Sequence, residues 1–293
     1  NGAVTAADTR LPLNALEVEL LDNTDQVVAS DFFPTNGRYR FSGLAAGSYR
    51  LRYDPSSFVG VDERAYFGTT TAPFNVTVPN TTTINTALQR GGQISGTVTT
   101  ADTGKGLGAV IVEIFDSDGK LLDDFTSTLN DGSFISTALV SGTYTVRFNP
   151  RIGFSETENY LAEFYNQQPD QASATPITVT APNITNGITA TLQRGGSLRG
   201  EVQDAVTGVL LGGIDVDLYD AVTGEYIRTE FTNRVGRYEF VGLADGQYKL
   251  GFDPQASECL AAYLPEFYND KPDLATADIL TIANGNTLNG LNA

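Results

Sequence analysis

The chain has 293 residues, 41% hydrophobic and 18% charged, with a net charge of −17, one Cys and no His, Met or Trp. Without imidazole there is no Ser-His-Asp or Cys-His catalysis and no His-ligated metal, and a lone Cys259 builds neither an internal disulfide nor a thiolate zinc site. The acidic excess disfavours nucleic acid and anionic membrane surfaces, and no apolar run reaches the ~20 residues of a membrane-spanning helix. The expectation is a non-enzyme with no cofactor and no metal, no nucleic-acid partner and no membrane insertion.

The first predicted strand places Leu16, Val18 and Leu20 on one face and Glu17 and Glu19 on the other, the period-two pattern of a half-buried strand. Asn36-Gly37 follows as a tight-turn signal that needs positive φ. Gly43, Leu44, Gly47 and Tyr49 then lead into Tyr49, Leu51 and Tyr53, again alternating, and into Asp54-Pro55. The string LQRGG at 88–92 closes this unit and recurs at 192–196.

The next unit repeats the order. Its strands are predicted at 93–100, 109–116, 120–128, 132–138, 142–149, 175–182 and 186–194, with turns at Asp118-Gly119 and Asp131-Gly132. Leu139, Gly142 and Tyr144 match Leu44, Gly47 and Tyr49, and Asn149-Pro150 matches Asp54-Pro55. Between 150 and 173, Tyr160, Leu161, Phe164 and Tyr165 stand at i, i+4 spacing, which predicts one helical turn capping the sandwich. The third unit carries Ile214, Val216, Leu218, then Gly242, Leu243, Gly246, Tyr248, then Asp253-Pro254, and Tyr263, Leu264, Phe267, Tyr268. Internal repetition at this period means tandem copies of one fold. The boundaries are 1–92, 93–196 and 197–293, each an all-β, seven-stranded Greek-key sandwich of the Ig-like or prealbumin-like kind.

The run from Asn130-Asp131-Gly132-Ser133-Phe134 through Leu139 and Gly142-Thr143-Tyr144-Thr145-Val146 resembles the carboxypeptidase regulatory-like repeat. That resemblance implies a transthyretin-like or collagen-adhesin B-type sandwich. EFYNQQPDQASATPITV (163–179) and EFYNDKPDLATADILTI (266–282) resemble repeats strung along prokaryotic surface proteins. The resemblance implies a stalk, adhesin rod or accessory module, and it specifies fold better than activity. Many collagen-adhesin B-type domains carry a Lys–Asn isopeptide crosslink. Here the first copy has no Lys, and Lys249 aligns with Arg50 and Thr145 rather than with an opening strand. No internal isopeptide bond is expected, and an intact-mass deficit of about 17 Da per bond would contradict this.

Candidate sites are few. Asp116-x-Asp118-Gly119 opens like a calcium loop, but the twelfth position is Ser127 where a Glu is required, so it reads as a hairpin turn. Glu17/Glu19 and Asp215/Asp217 read as a solvated strand face, since nothing marks the cleft a carboxylate hydrolase needs. Tyr165 and Tyr268 form a weak candidate ligand platform. Asn75, Asn80 and Asn183 match the glycan acceptor pattern. Cys259 reads as a packed free thiol.

The ends align inside the repeat. Asn1-Gly2 falls on Ser95-Gly96 and Leu291-Asn292-Ala293 on Ile188-Thr189-Ala190. Incomplete edge strands at both ends favour strand addition from a neighbour, and net charge runs from −2 over 1–92 through −6 over 93–196 to −9 over 197–293. The expected polymer interface is Asn1, Gly2, Val4, Leu288, Leu291 and Ala293, joining copies head to tail. Neighbouring domains of a longer chain are the alternative partner, with the ends then being cuts through an array. The function expected is an extracellular structural protein of a prokaryotic cell surface, a stiff rod or filament subunit with adhesive potential. The alternative is a polysaccharide-binding or accessory module of a larger secreted protein.

Overall fold

The computed structural model describes all residues except Phe33 and segments 56–61, 123–125, 151–158 and 255–262. Cys259 therefore lies outside the described residues. By compactness the chain forms two units, one of residues 1–98, 106–148 and 163–190, the other of 99–105, 149–162 and 191–293.

Strand is the regular structure throughout, with one short 3-10 turn at Asp62–Ala65. In the first unit, strand Gly2–Ala6 lies between Arg38–Tyr39, antiparallel, and Thr86–Leu88, parallel. A second sheet runs Val27–Phe32, Glu17–Leu21, Gly47–Asp54, Thr69–Thr70, with Phe74–Val76 also on Gly47–Asp54. Val4, Ala6, Tyr39 and Leu88 of the first sheet meet Val18, Leu20, Leu51 and Tyr53 of the second in one core. The period-two alternation produces this arrangement, because each strand offers its apolar set to a single face. The phenols inside find partners. Tyr39 Oη lies 2.9 Å from Tyr53 Oη and donates to Ile84 O at 2.5 Å. Burial and the Tyr53 hydroxyl push the Tyr39 phenol well above its ordinary value.

The same unit contains a second pair of sheets. One runs Ser133–Ile135, Gln93–Thr100, Ile184–Thr185. The other runs Thr126–Ser127, Ile111–Phe115, Gly142–Asn149, Glu163–Phe164, with Ile177–Val179 also on Gly142–Asn149. Glu163–Phe164 corrects the expected helical turn: Arg147 and Phe148 pair with Phe164 and Glu163, and Phe164 is buried with its ring 5.8 Å from Phe115. The aromatic spacing was that of a helix, but the backbone groups are satisfied by the neighbouring strand.

In the second unit, Arg237–Leu243, Gly196–Glu201 and Thr287–Leu288 form one sheet. Tyr226–Phe231, Asp215–Asp220, Gly246–Asp253 and Glu266–Phe267 form the other, with Leu280–Ile282 also on Gly246–Asp253. Leu198, Phe240, Val216, Leu218, Leu250 and Phe252 share the core between them.

One glycine recurs for a single reason. A Cβ on Gly2, Gly96 or Gly200 would lie 1.7, 1.8 or 2.0 Å from the carbonyl oxygen of Ile84, Ile188 or Leu291. The chain segment beside this strand approaches too closely for any side chain.

Candidate functional site

The acidic pairs are structural. Glu19 is ion-paired to Arg52 across the sheet, and Glu113 to Arg147 at 3.2 Å, so these faces are cross-strand paired rather than simply solvated. Asp217 accepts from Thr229, while burial first, then the charges of Asp217 and Asp253, raise the Asp215 carboxyl. Asp116 Oδ1 accepts the N–H groups of Asp118 and Lys120 at 3.0 and 2.9 Å, the local turn that the sequence indicated. Among the described residues no His/Cys/Asp/Glu group could hold a metal, and no helix is long and apolar enough to cross a membrane. Lys249 Nζ donates to the carbonyls of Leu274 and Ala275 at 2.7 and 3.2 Å.

Tyr165 and Tyr268 are half-buried, with their backbone N–H groups bonded to Val146 O at 2.8 Å and Leu250 O at 3.0 Å; Tyr268 packs on its own core. Asn75, Asn80 and Asn183 are exposed.

The residues expected at the polymer interface divide. Val4 and Leu291 are buried in their own cores, at 0% and 5% exposure, so their side chains are unavailable to a partner. Leu291 N–H and Ala293 N–H bond to Arg199 O and Glu201 O, both at 3.1 Å, extending the line of Thr287–Leu288 along Gly196–Glu201. Leu288 and Ala293 are partly buried against that core. At the other end, Asn1 is exposed and Gly2 half-buried. Strand Gly2–Ala6 is central rather than an edge, because it has partners on both sides. Position in sequence marked these as ends; closure of the sheet buried them.

What remains open at the first residue is a groove. A cavity of about 650 Å³ is bounded by Arg40–Leu44 on one side and Val78–Thr82 on the other, floored by Leu20, Leu51, Phe74 and Val76. Asn1 stands at its edge, its ammonium donating to Thr82 O at 3.2 Å. Partial burial, then the nearby Arg40 charge, lowers that amine below its ordinary value. Sequence reading pointed to this end of the molecule but missed the groove, whose walls come from segments 35 or more residues apart.

A second recurring cluster also escaped the sequence. Tyr160 Oη, Asp102 and Arg194 converge, with Arg194 Nε 3.3 Å from Asp102 and its guanidinium carbon 5.4 Å from the Tyr160 ring centroid. Tyr66 donates to Asp8 at 3.2 Å with Arg90 3.9 Å from the same carboxylate. The Arg of LQRGG was the available signal. Tyr263 donates to Asp204 at 2.9 Å, and Asp204 also accepts from the N–H and hydroxyl of Thr207. Backbone and hydroxyl bonds from Thr207, then Tyr263, hold the Asp204 carboxyl down to about 2. A depressed folded-state value stabilises the fold above the ordinary carboxyl range and loses that contribution as pH falls through about 2. A carboxyl-carbon NMR titration is expected to place Asp204 near 2, with Tyr263→Phe moving the midpoint upward. A midpoint at the ordinary 3.8 in the unmodified chain would refute the cluster.

No protein-family model matches the chain. It is 24% identical over 273 residues to serine-aspartate repeat-containing protein D of Staphylococcus aureus, covering 85% of this chain and 20% of that protein. Against serine-aspartate repeat-containing protein F of Staphylococcus epidermidis it is 24% identical over 272 residues, covering 84% of this chain and 16% of that one. A streptococcal ancillary pilin aligns over 99% of this chain and 98% of its own, at 14% identity and a TM-score of 0.37. The shaft pilin SpaA of Lactobacillus rhamnosus GG aligns over 67% of this chain and 94% of its own, at 11% identity and a TM-score of 0.30. The chain spans about one-fifth of the length of the curated relatives it matches. Over most of its length, then, this all-β chain is similar to a segment of the serine-aspartate repeat-containing proteins.

Proposed function

We propose that the chain is an extracellular structural segment of a prokaryotic cell-surface protein, built of three tandem seven-stranded sandwiches of the carboxypeptidase regulatory-like kind, with boundaries at 92/93 and 196/197. It serves as a stiff spacer or head-to-tail filament subunit, and it is not an enzyme. The observation that carries this reading is the bonding of the Gly-Gly joints. Gly91 N–H donates to Ala65 O and Gly92 N–H to Leu139 O, both at 2.8 Å, so the joint is tied into the repeats on either side. Gly195 N–H likewise donates to Asn159 O at 2.8 Å, and Gly196 pairs with Leu243. A Gly/Ser tether leaves such groups to water and its domains free to move; here they are spent on fixing the joint. Similarity to repeat-containing proteins of staphylococci agrees with the reading.

Electron microscopy of the purified chain over a concentration series tests it. Elongated particles that join end to end are expected. Compact single particles at every concentration, with NMR relaxation reporting three independently tumbling domains, would remove both stiffness and assembly.

A further inference from the structure

In the second repeat, the position equivalent to the groove is filled by the chain's own residues 92–94. Gly92 and Leu139 exchange two backbone hydrogen bonds of 2.8 Å. Ser136 N–H donates to Ile94 O at 2.9 Å, and Ile94 N–H to Ser136 Oγ at 2.9 Å. On the opposite side Gln93 N–H donates to Asn183 O at 3.1 Å. The third repeat repeats this pattern: Gly196 pairs with Leu243, Leu198 with Phe240, and Ser197 N–H donates to Asn286 O at 3.0 Å. Ile94 and Leu198 are both wholly buried.

The first repeat presents the same walls without that strand between them. Phe41 and Leu44 stand where Ser136 and Leu139, or Phe240 and Leu243, stand. Phe74 and Val76 stand where Ile177 and Val179, or Leu280 and Ile282, stand, as their pairing with Gly47–Asp54, Gly142–Asn149 and Gly246–Asp253 fixes. All eight counterparts are buried, whereas Phe41, Leu44, Phe74 and Val76 are each partly exposed. Leu44, unlike Leu139, has no backbone partner among the described residues.

We propose that this groove is a strand-acceptor site. It takes an extended segment donated by another polypeptide, of the form Gly-Gly-polar-aliphatic, running antiparallel to residues 40–44 and parallel to 80–82, with its last side chain seated on Leu20 and Leu51. The inference deepens the assembly reading and rests on it for the donor's source. The chemistry demanded of the donor follows from the two filled copies. A Cβ on Gly92 would lie 2.4 Å from Val179 Cγ1, and one on Gly196 2.3 Å from Ile282 Cγ2, so the second residue must be glycine against Val76 as well. A Cβ on Gly91 would lie 2.8 Å from Ala138 Cβ, and one on Gly195 2.7 Å from the Gly242 backbone, which Gly43 replaces here. The third residue is polar because Gln93 turns its amide back to Ser136 O at 2.7 Å. The fourth is Ile or Leu because it fills the core. Main-chain bonds supply affinity and the buried aliphatic side chain supplies selectivity, the usual division in strand addition.

The test uses the full chain and a fluorescein-labelled heptapeptide, Leu-Gln-Arg-Gly-Gly-Gln-Ile, with a free carboxylate, read by fluorescence anisotropy. Saturable binding is expected, weakened at least tenfold when the two glycines become alanines or when the chain carries Leu44→Glu. A chain with Gly-Gly-Gln-Ile fused ahead of Asn1 fills its own groove; it is expected to refuse the peptide and to melt at a higher temperature. Equal binding of the alanine peptide, or no saturable binding up to millimolar peptide, overturns the site. Peptide binding by a chain that never joins end to end would keep the groove and remove the assembly reading. End-to-end joining undiminished by Leu44→Glu would remove the groove as the contact.

Discussion

Gly96→Ala is expected to destabilise the second repeat by about 3 kcal/mol or more, the upper end of what overpacking costs. The added Cβ falls 1.8 Å from Ile188 O and 2.5 Å from Ile188 C. Both are backbone atoms, and the segment is held there because Ile188 N–H donates to Ser95 O at 3.1 Å and its side chain is buried. No rotamer change relieves the clash, so residues 188 and 96 must separate. Gly142→Ala is the control, since its Cβ would meet only the Tyr144 ring at 3.5 Å or more. That change is expected within about 0.5 kcal/mol of the unmodified protein. Urea denaturation followed by circular dichroism compares the two, and equal midpoints would refute the close approach.

Leu198→Ala is expected to cost about 2–5 kcal/mol, the range for emptying a closed leucine site. Leu198 is wholly buried, faces Phe240 across the antiparallel pair and Leu288 across the parallel one, and shares its core with Val216, Leu218 and Leu250. The neighbours are held by sheets on both sides and relax little into the space. Because a chain of several repeats need not unfold in one step, the readout is amide hydrogen exchange. Protection is expected to fall in Gly196–Glu201 and Arg237–Leu243 and to persist in Glu17–Leu21. Loss spread evenly over all three strands would mean the repeats share one unfolding transition. The same substitution models, inside a filled repeat, what the first-repeat groove is without its strand.

Much of the fold was legible because strand alternation is a local property. Leu16, Val18 and Leu20 point inward and Tyr49, Leu51 and Tyr53 face the same core, as period two requires; Asn36 and Gly37 both take positive φ, 52° and 66°, as their turn requires. The repeat itself was visible as identical strings, LQRGG and Gly-Leu-x-x-Gly-x-Tyr. Local pattern failed at Tyr160–Tyr165, where i, i+4 aromatic spacing suits a helix and a strand neighbour equally. Only the pairing of Glu163–Phe164 with Gly142–Asn149 decides between them.

The sequence by itself determined the strand content, the repeat, the turn positions and the poverty of catalytic groups, since each depends on residue type at short spacing. Tertiary structure alone decided which of the end residues are core and which face outward. Val4 and Leu291 look like loose ends in the string but are enclosed by strands more than 30 residues away. It also decided the demand for glycine at positions 2, 96 and 200 and the existence of the groove, because Leu20, Leu44 and Val76 come together only when two sheets close over one core. The reason is range: alternation is set by the geometry of one strand, whereas a close approach or a cavity is set by the distance between strands that the sheets alone bring side by side.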